Sequence, residues 1–269
     1  MKRLVISFFL IVASVLFFVF LYNKNKLKEY SKVYSDFNGV NIRIYTSNEP
    51  NKLFNELEYI LKNYDEKELY NYGLDVINKT NGYVSIYRKD INNIFENAKK
   101  NKIIPVYTND NNIDYSSIIK SFIISKLENK IKEYNINSYI INMGDIFSLG
   151  RANNTKFTVA IEKPYKKDEY ISFLKLDNKS ISTVGPYQNY YSIEGKIYHN
   201  LINLKTLKQE NNYKSVTVIG DSILDVQMLS NYLYFLSIED GKEILKKYNC
   251  DAIWYTNEDE LIFTKDFTK

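Results

Sequence analysis

Apolar and polar positions along the chain follow two spacings, one typical of strands and one typical of helices. Alternating patterns and short apolar runs predict strands at 40–45, 82–87, 103–107, 112–115, 138–142, 157–162, 171–176, 180–184, 215–219, 252–255 and 260–263. Apolar residues spaced three or four positions apart predict helices at 51–64, 89–100, 118–134, 223–236 and 241–248, with a loop at 65–81. Runs of strands mixed with a few helices, and no internal repeat, indicate an α+β domain of two layers.

The stretch from 215 to 237 is the most informative part of the chain. Its first residues, Ser-Val-Thr-Val-Ile, are mostly apolar and β-branched, which favours a buried strand. Gly220, Asp221 and Ser222 then supply a turn and the start of a helix. We expect Asp221 and Asp225 to serve as the negative charges that stabilise a helix N-terminus.

The N-terminus carries a pattern of a different kind. Two basic residues precede an uncharged run at 4–21, which at ~1.5 Å per residue spans roughly 27 Å, about the thickness of a bilayer's hydrocarbon core. The end of this run lacks the small residues of a cleavage site, which favours an uncleaved anchor over a cleaved signal peptide. We expect a transmembrane signal anchor at 1–22, a juxtamembrane linker at 23–36 and a folded domain at 37–269.

Composition and charge exclude two classes of site. The net charge of +4 is spread evenly beyond the N-terminus, so the basic stripe of a nucleic-acid-binding surface is missing. Cys250 is the only cysteine, which excludes an intrachain disulfide and a metal site built from several cysteines. We therefore expect no nucleic-acid partner, and we interpret Cys250 as a buried, unreactive thiol.

Four further segments carry polar and glycine residues in an informative order. They are Ile-Asp-Tyr-Ser-Ser-Ile-Ile-Lys at 113–120, Asn-Met-Gly-Asp-Ile at 142–146, Thr-Val-Gly-Pro-Tyr at 183–187 and Tyr-His-Asn-Leu-Ile-Asn-Leu-Lys-Thr at 198–206. With the strand and helix at 215–237, their order and spacing resemble the FAD:protein FMN transferases of the ApbE family over roughly residues 112–267. The resemblance implies a two-layer, T-fold-like α+β domain, here behind an N-terminal transmembrane helix.

The resemblance also implies a chemistry and a set of site residues. Family members use Mg²⁺ and move FMN from FAD to a threonine of an acceptor protein, while some hydrolyse FAD instead. The catalytic position falls at Asn200, with the lone histidine His199 beside it. The implied metal positions are Ser117, Ile119, Gln227, Ser230 and Asn231. The implied FAD contacts are Asn38, Asp114, Lys120, Asn142, Gly144, Asp145, Thr183, Gly185, Tyr187, Ile202 and Thr206.

The chain departs from the family pattern where the metal and the cofactor are held. The family's metal-binding aspartate and threonine are Gln227 and Asn231 here, and two glycines before the helix at 118–134 are Ser116 and Ser117. An amide oxygen can coordinate Mg²⁺ but lacks the charge of a carboxylate. The segment between Ala98 and Ile113 is also much shorter than in the family, which removes part of the FAD-binding wall.

Three interpretations of function stay open at this point. The chain is a membrane-anchored FAD:protein FMN transferase, an FAD pyrophosphatase, or a catalytically inactive relative that binds a flavin or a partner protein. His199 is compatible with a catalytic imidazole and with a structural one. The transferase and the pyrophosphatase both require a cation at the pyrophosphate of FAD, together with an acceptor hydroxyl or a water molecule. An inactive relative requires neither the cation nor the acceptor.

The predicted anchor is testable by truncation. Because the run at 4–21 contributes nothing to the core, a protein that begins at about Ser31 should fold and appear in the soluble fraction. The full chain should stay in the bacterial cytoplasmic membrane, crossing it once, with its domain on the extracytoplasmic side and its mature N-terminus at or next to Met1. Cell fractionation and N-terminal sequencing measure these outcomes. An insoluble, unfolded truncation, or a mature N-terminus beyond Tyr22, would contradict the prediction.

Overall fold

The described elements run from an edge strand that begins at residue 28 to a last strand that ends at residue 263. The computed structural model describes residues 26–264, apart from 38, 88, 108–111, 145, 152–155, 167 and the side chains of residues 89 and 90. The strands are β1 (Lys28–Tyr34), β2 (Val40–Thr46), β3 (Tyr139–Asn142), β4 (Ile146–Leu149), β5 (Phe157–Glu162), β6 (Tyr170–Leu176), β7 (Lys179–Val184), β8 (Tyr190–Ile193), β9 (Lys196–His199), β10 (Ile202–Asn203), β11 (Lys208–Gln209), β12 (Ser215–Gly220), β13 (Cys250–Tyr255) and β14 (Leu261–Phe263). The helices are α1 (Asn51–Lys62), α2 (Glu66–Lys79), α3 (Lys89–Asn101), α4 (Ile119–Glu133), α5 (Ile223–Leu233) and α6 (Ile238–Leu245).

Eight strands form one sheet in the order β1-β2-β3-β4-β7-β12-β13-β14, and every neighbouring pair is antiparallel. Ile42 of β2 lies opposite Ile141 of β3, and Val218 of β12 lies opposite Ser182 of β7. Successive side chains of a strand point to opposite faces of the sheet. Each strand of the sheet centre therefore has one set of residues toward the helices and another toward the opposite face.

The helices bury one face of the sheet through two apolar clusters. Leu57 of α1 and Leu127 of α4 are fully buried in the cluster that contains the inward residues of β2 and β3. Leu69 of α2 and Leu229 of α5 are fully buried with Trp254 of β13 in the other cluster. Burying one such side chain contributes about 1.5–3 kcal/mol. The two clusters thus account for most of the apolar burial that holds the helix layer to the sheet.

The hairpin of β5 and β6 covers part of the opposite face of the sheet. Ile181 of β7, Ile219 of β12 and Ile253 of β13 are buried there with Val159 and Ile161 of β5. This hairpin adds a partial third layer to the two predicted ones. The space that remains between the hairpin and the sheet forms the cavity described below.

The predicted mixture of helices and strands is confirmed over most of the chain. The predicted strand at 157–162 coincides with β5, and the predicted helix at 118–134 agrees with α4 to within one residue at each end. The predicted helices at 51–64 and 241–248 correspond to α1 and α6, although both ends of α6 lie three residues earlier. Strong apolar periodicity makes these elements visible in the sequence.

Between residues 65 and 115 the predicted helix at 89–100 is confirmed as α3, but two other predictions are wrong. The predicted loop at 65–81 is helix α2, which begins after the capping residue Asp65 and shows only three buried side-chain positions along its length. The strands predicted at 82–87, 103–107 and 112–115 do not form; within the described residues there is a single bridge that pairs Tyr87 with Ile113. A narrow buried stripe gives a weak helical pattern, and short apolar runs resemble strands whether or not they find a partner.

A strand occupies Lys28–Tyr34 of the predicted linker at 23–36, so regular structure is present before residue 37, where the folded domain is predicted to begin. The edge strand β1 pairs along its whole length with β2, and the buried Tyr34 donates a hydrogen bond to the backbone oxygen of Phe54 (2.9 Å). A truncation that begins at Ser31 would remove three residues of β1, so the soluble protein should begin before Lys28. The predicted anchor at 1–22 lies outside the described residues. Among the helices described, none is both long and apolar enough to cross a membrane.

A buried carboxyl group on α4 makes stability depend on pH. The hydroxyl of Ser148 on β4 donates a hydrogen bond to Glu128, and burial raises the pKa of Glu128 from 4.5 to about 7, although the nearby Lys132 ammonium partly opposes this. Between pH 4.5 and about pH 7 the carboxyl of Glu128 is protonated in the folded protein and ionised in the unfolded chain. Stability is therefore highest below pH 4.5 with respect to this group and falls as the pH rises toward 7.

We expect the Glu128→Gln variant to remove this pH dependence. The wild-type free energy of unfolding should fall by about 3 kcal/mol more than that of the variant between pH 4.5 and pH 8, because one pKa unit corresponds to about 1.4 kcal/mol. Urea denaturation at several pH values measures the difference. The exposed Glu133 on the same helix provides the control, since Glu133→Gln should keep the wild-type profile. Parallel profiles for wild type and Glu128→Gln would contradict the assignment.

Candidate functional site

A cavity of about 550 Å³ lies between the outer face of the sheet and the β5–β6 hairpin. Cavities of this size are typical of small-molecule and cofactor sites. Its walls combine apolar side chains with a small number of polar groups. The lining residues are Lys120, Gly144, Phe147, Val159, Ala160, Ile161, Glu162, Ile181, Thr183, Tyr187 and Gln188.

Four of the predicted FAD contacts line this one cavity, although they come from separate parts of the chain. Lys120 is the second residue of α4, and Gly144 lies in the turn between β3 and β4. Thr183 is on β7, and Tyr187 belongs to the short helical turn that follows this strand. The antiparallel arrangement of β3, β4 and β7 brings these segments to the same end of the sheet.

Gly144 lines the cavity, and Gly185 lies against the lining residue Tyr187. Gly144 has a φ of +82°, which is unfavourable for residues with a side chain, and its N–H donates to Oδ1 of Asn142 (2.8 Å). A Cβ at Gly185 would lie 2.6 Å from the backbone oxygen of Lys214 and 2.6 Å from the ring of Tyr187. Glycine at 185 therefore allows the Tyr187 ring to lie close to the backbone. The predicted contact Asn142 lines a neighbouring, smaller cavity of about 260 Å³.

The predicted contact Asp114 and the predicted catalytic residue Asn200 are joined through Asn92 on α3. The amide nitrogen of Asn92 donates to Oδ2 of Asp114 (2.9 Å) and to Oγ of Ser116 (2.9 Å). The amide nitrogen of Asn200 donates in turn to Oδ1 of Asn92 (3.4 Å). Asn92 is absent from the sequence-based site because it lies outside every recognised motif, and only the fold brings it to these partners.

His199, the other candidate catalytic residue, is fully buried with both ring nitrogens engaged. The N–H of Leu201 donates to Nδ1 (3.2 Å), so Nε2 carries the proton and donates to Oδ1 of Asn211 (2.8 Å). Burial lowers the pKa of His199 to about 4, so the imidazole is neutral at physiological pH. These contacts give His199 a structural role at the end of β9, where its ring is bonded to the following turn. The catalytic role of His199 stays a prediction.

Gln227, at the predicted metal position, holds the N-terminus of α4. Its Oε1 atom accepts a hydrogen bond from the N–H of Ser121 (2.9 Å), the third residue of that helix. The first helical N–H groups need such acceptors, and the N-cap residue Ile118 supplies none from its side chain. Gln227 is buried, so this bond joins α5 to α4 inside the helix layer.

The other predicted metal residues are neutral. The hydroxyls of Ser230 and Ser182 are hydrogen-bonded to each other (2.9 Å), and the amide of Asn231 donates to the backbone oxygen of Gln227 (2.9 Å). Ser117 is buried, and its hydroxyl has no hydrogen-bond partner among the described atoms. Ile119 offers only backbone atoms, and its N–H already donates to the oxygen of Tyr115.

This set of donor atoms fits Mg²⁺ poorly. Mg²⁺ favours carboxylate oxygens and keeps an octahedral shell. In the described part of the chain no group of three or more histidine, cysteine, aspartate or glutamate residues is arranged to hold a metal ion. Asp221, the neighbouring carboxylate, is held by Lys179 and Asn249, and both contacts lower its pKa. The one observation that favours a ligand at this position is the unpartnered hydroxyl of Ser117.

Two further predicted contacts, Ile202 and Thr206, do not line the cavity. Ile202 is buried in β10, and Thr206 is exposed in the turn that joins β10 to β11, where its N–H donates to the oxygen of Asn203 (3.2 Å). Asn38 and Asp145 lie outside the described residues. The sequence thus identifies four of the eleven cavity residues, while the fold adds the other seven, of which Glu162 and Gln188 are polar.

Sequence comparison with known proteins agrees with the motifs. The profile of the ApbE family matches residues 74–254. The FAD:protein FMN transferase of Klebsiella pneumoniae strain 342 is 26% identical over 156 residues, which cover 56% of this chain and 48% of that protein. The FAD:protein FMN transferase of Buchnera aphidicola subsp. Schizaphis graminum is 31% identical over 156 residues, with coverage of 56% and 46%. The chain thus spans about half the length of the curated relatives it matches.

Solved structures share the fold over most of the chain. The flavin transferase ApbE from Vibrio cholerae superposes with a TM-score of 0.69 at 15% identity and covers 91% of this chain and 99% of that chain. The ApbE protein from Thermotoga maritima superposes with a TM-score of 0.71 at 12% identity and covers 90% and 98%. At such low identity these structures speak for the fold alone. The family profile matches more than half of the residues of this chain, so the chain belongs to the ApbE family.

Proposed function

We propose that this chain binds FAD in the cavity between the sheet and the β5–β6 hairpin. The observation that carries the proposal is the meeting of Lys120, Gly144, Thr183 and Tyr187 in one cavity from separate segments. Each of these residues matches a family motif, and the curated relatives are FAD:protein FMN transferases. The ApbE family membership of the chain supports the same ligand.

The position of Lys120 and the backbone at two glycines support a dinucleotide, although the carboxylate of Glu162 also lines the cavity. Lys120 lies in the first turn of α4, where the positive end of the helix dipole disfavours a cation, and a bound diphosphate would offset that repulsion. Gly144 and Gly185 let the ligand or a ring approach the backbone. Thr183 can donate or accept a hydrogen bond, although its hydroxyl is also hydrogen-bonded to that of Thr217 (2.9 Å).

We further propose that the chain does not carry out Mg²⁺-dependent FMN transfer. A bound Mg²⁺ would offset the charge that builds up as the pyrophosphate breaks. Loss of one carboxylate partner at ~4 Å removes about 4 kcal/mol at an effective dielectric of about 20, which weakens metal binding roughly a thousandfold. The amide oxygen of Gln227 moreover already accepts the N–H of Ser121, so only its second lone pair is left for a metal ion.

A second candidate function is FAD:protein FMN transfer itself, with an acceptor protein that carries a target threonine. The activity of the curated relatives favours it, and FAD hydrolysis is the corresponding reaction with water as acceptor. Both reactions place the same ligand in the same cavity. We also propose, from the sequence, that residues 4–21 anchor the chain in the bacterial cytoplasmic membrane with the domain on the extracytoplasmic side.

The absence of transfer is testable with an acceptor that bears the family's target threonine. With FAD and Mg²⁺ present, we expect no covalent flavin on the acceptor above background, because the metal carboxylate and part of the cofactor wall are missing. In-gel fluorescence after denaturation measures covalent flavin, and the flavin transferase of Vibrio cholerae serves as the positive control. A fluorescent acceptor band that disappears in a chelator would refute the inactive assignment and favour the transferase.

Restoring the family's metal residues should restore metal binding. We expect the double variant Gln227→Asp with Asn231→Thr to bind Mg²⁺ more tightly than wild type in calorimetry with FAD present. Without metal it should be less stable by about 1 kcal/mol, because aspartate is too short to keep the bond to Ser121. Asn231→Thr alone keeps Gln227 and provides the matched control. Tight Mg²⁺ binding by the wild-type protein would show that other residues hold the metal.

A further inference from the structure

Tyr165 lies in a turn whose backbone conformation is unfavourable for it. The N–H of Lys166 donates to the oxygen of Lys163 (3.2 Å), which closes a four-residue turn with Pro164 in second position and Tyr165 in third. Tyr165 has a φ of +62°. A proline followed by a residue with positive φ is the geometry of a type II turn, in which the third position is normally glycine or asparagine. A bulky side chain in this conformation is strained and raises the question of what it is held there to do.

The turn places the Tyr165 ring beside Tyr187, a residue that lines the cavity. Residues 159–162 of β5 line the cavity, and the turn follows that strand directly. The Tyr165 ring meets Tyr190 edge-on at 5.1 Å between ring centroids and an interplanar angle of 79°. It also meets Tyr187, a cavity residue, at 6.2 Å and 65°. Tyr165 nevertheless keeps 38% of its surface exposed, so the two neighbouring rings support it without covering it.

We propose that Tyr165 is a ring-binding residue of the cavity and that a planar heteroaromatic ring of the bound ligand packs against it. The inference rests on the proposed FAD binding and extends it to a residue outside the family motifs that identify the site. Aromatic side chains bind nucleotide rings by stacking, and rings held in place by their neighbours lose little conformational freedom on binding. FAD offers two such rings, the adenine and the isoalloxazine, and the same chemistry would recognise either one.

Replacement of Tyr165 by glycine separates ring binding from a structural role. Glycine adopts a positive φ without strain, which favours folding, while loss of the ring contacts to Tyr187 and Tyr190 opposes it. The thermal unfolding midpoint of Tyr165→Gly therefore measures the structural effect, and the FAD dissociation constant measures ring binding. The control is Glu194→Gly, which relieves a φ of +49° in the exposed turn between β8 and β9.

The test measures calorimetric dissociation constants of the purified full-length chain for FAD, FMN and AMP. At a temperature at which all variants are folded, we expect Tyr165→Gly to weaken FAD binding about tenfold, while Tyr165→Phe stays within about twofold of wild type. Glu194→Gly should keep wild-type affinity. Parallel weakening of AMP binding assigns the adenine ring to Tyr165, and parallel weakening of FMN binding assigns the isoalloxazine.

Wild-type FAD affinity in Tyr165→Gly would overturn the inference while the proposed function stands. A wild-type chain that binds none of FAD, FMN and AMP would overturn the proposed function together with the inference. The affinity of the unmodified chain for FAD, FMN and AMP therefore distinguishes a failure of the inference from a failure of the proposed function.

Discussion

The hydrogen bond from the N–H of Ser121 to Oε1 of Gln227 is the contact on which the site depends. It fixes the first turn of α4 against α5, and this turn carries Lys120 into the cavity. Leaving either buried group without a partner would cost about 1–3 kcal/mol. The resemblance to the family implies a metal-binding aspartate at this position, whereas Gln227 here accepts the N–H of Ser121. We propose that this substitution keeps the shape of the site without the ion.

Strand β7 connects the helix layer to the cavity. Its alternation turns Ser182 toward α5, where the hydroxyl meets that of Ser230, and turns Ile181 and Thr183 toward the β5–β6 hairpin. A shift of one residue in the pairing of β7 would exchange these two sets. The same strand then leads into Gly185 and Tyr187. The pairing register of β7 therefore determines both how the helices pack on the sheet and where the cavity wall lies.

The sequence predicts the part of the fold and site that local patterns encode. The periodicity of α4 and the apolar run of β12 are local, and the motif residues Lys120 and Thr183 do line the cavity. The role of Asn92 could not be predicted, because its partners Asp114 and Asn200 lie 22 and 108 residues away along the chain. The capping role of Gln227 was equally hidden, since its partner is 106 residues distant. Helix α2 is not evident in the sequence because its buried stripe is narrow.

A crystal structure of the full-length chain grown with FAD and Mg²⁺ tests the central claim most directly. We predict FAD in the cavity lined by Lys120, Thr183 and Tyr187, with the oxygen of Gln227 still bonded to the N–H of Ser121 and no metal ion beside it. FAD bound outside this cavity would contradict the assignment of the site. A metal ion coordinated by Gln227 and the diphosphate would contradict the view that this amide has replaced a metal ligand with a structural one.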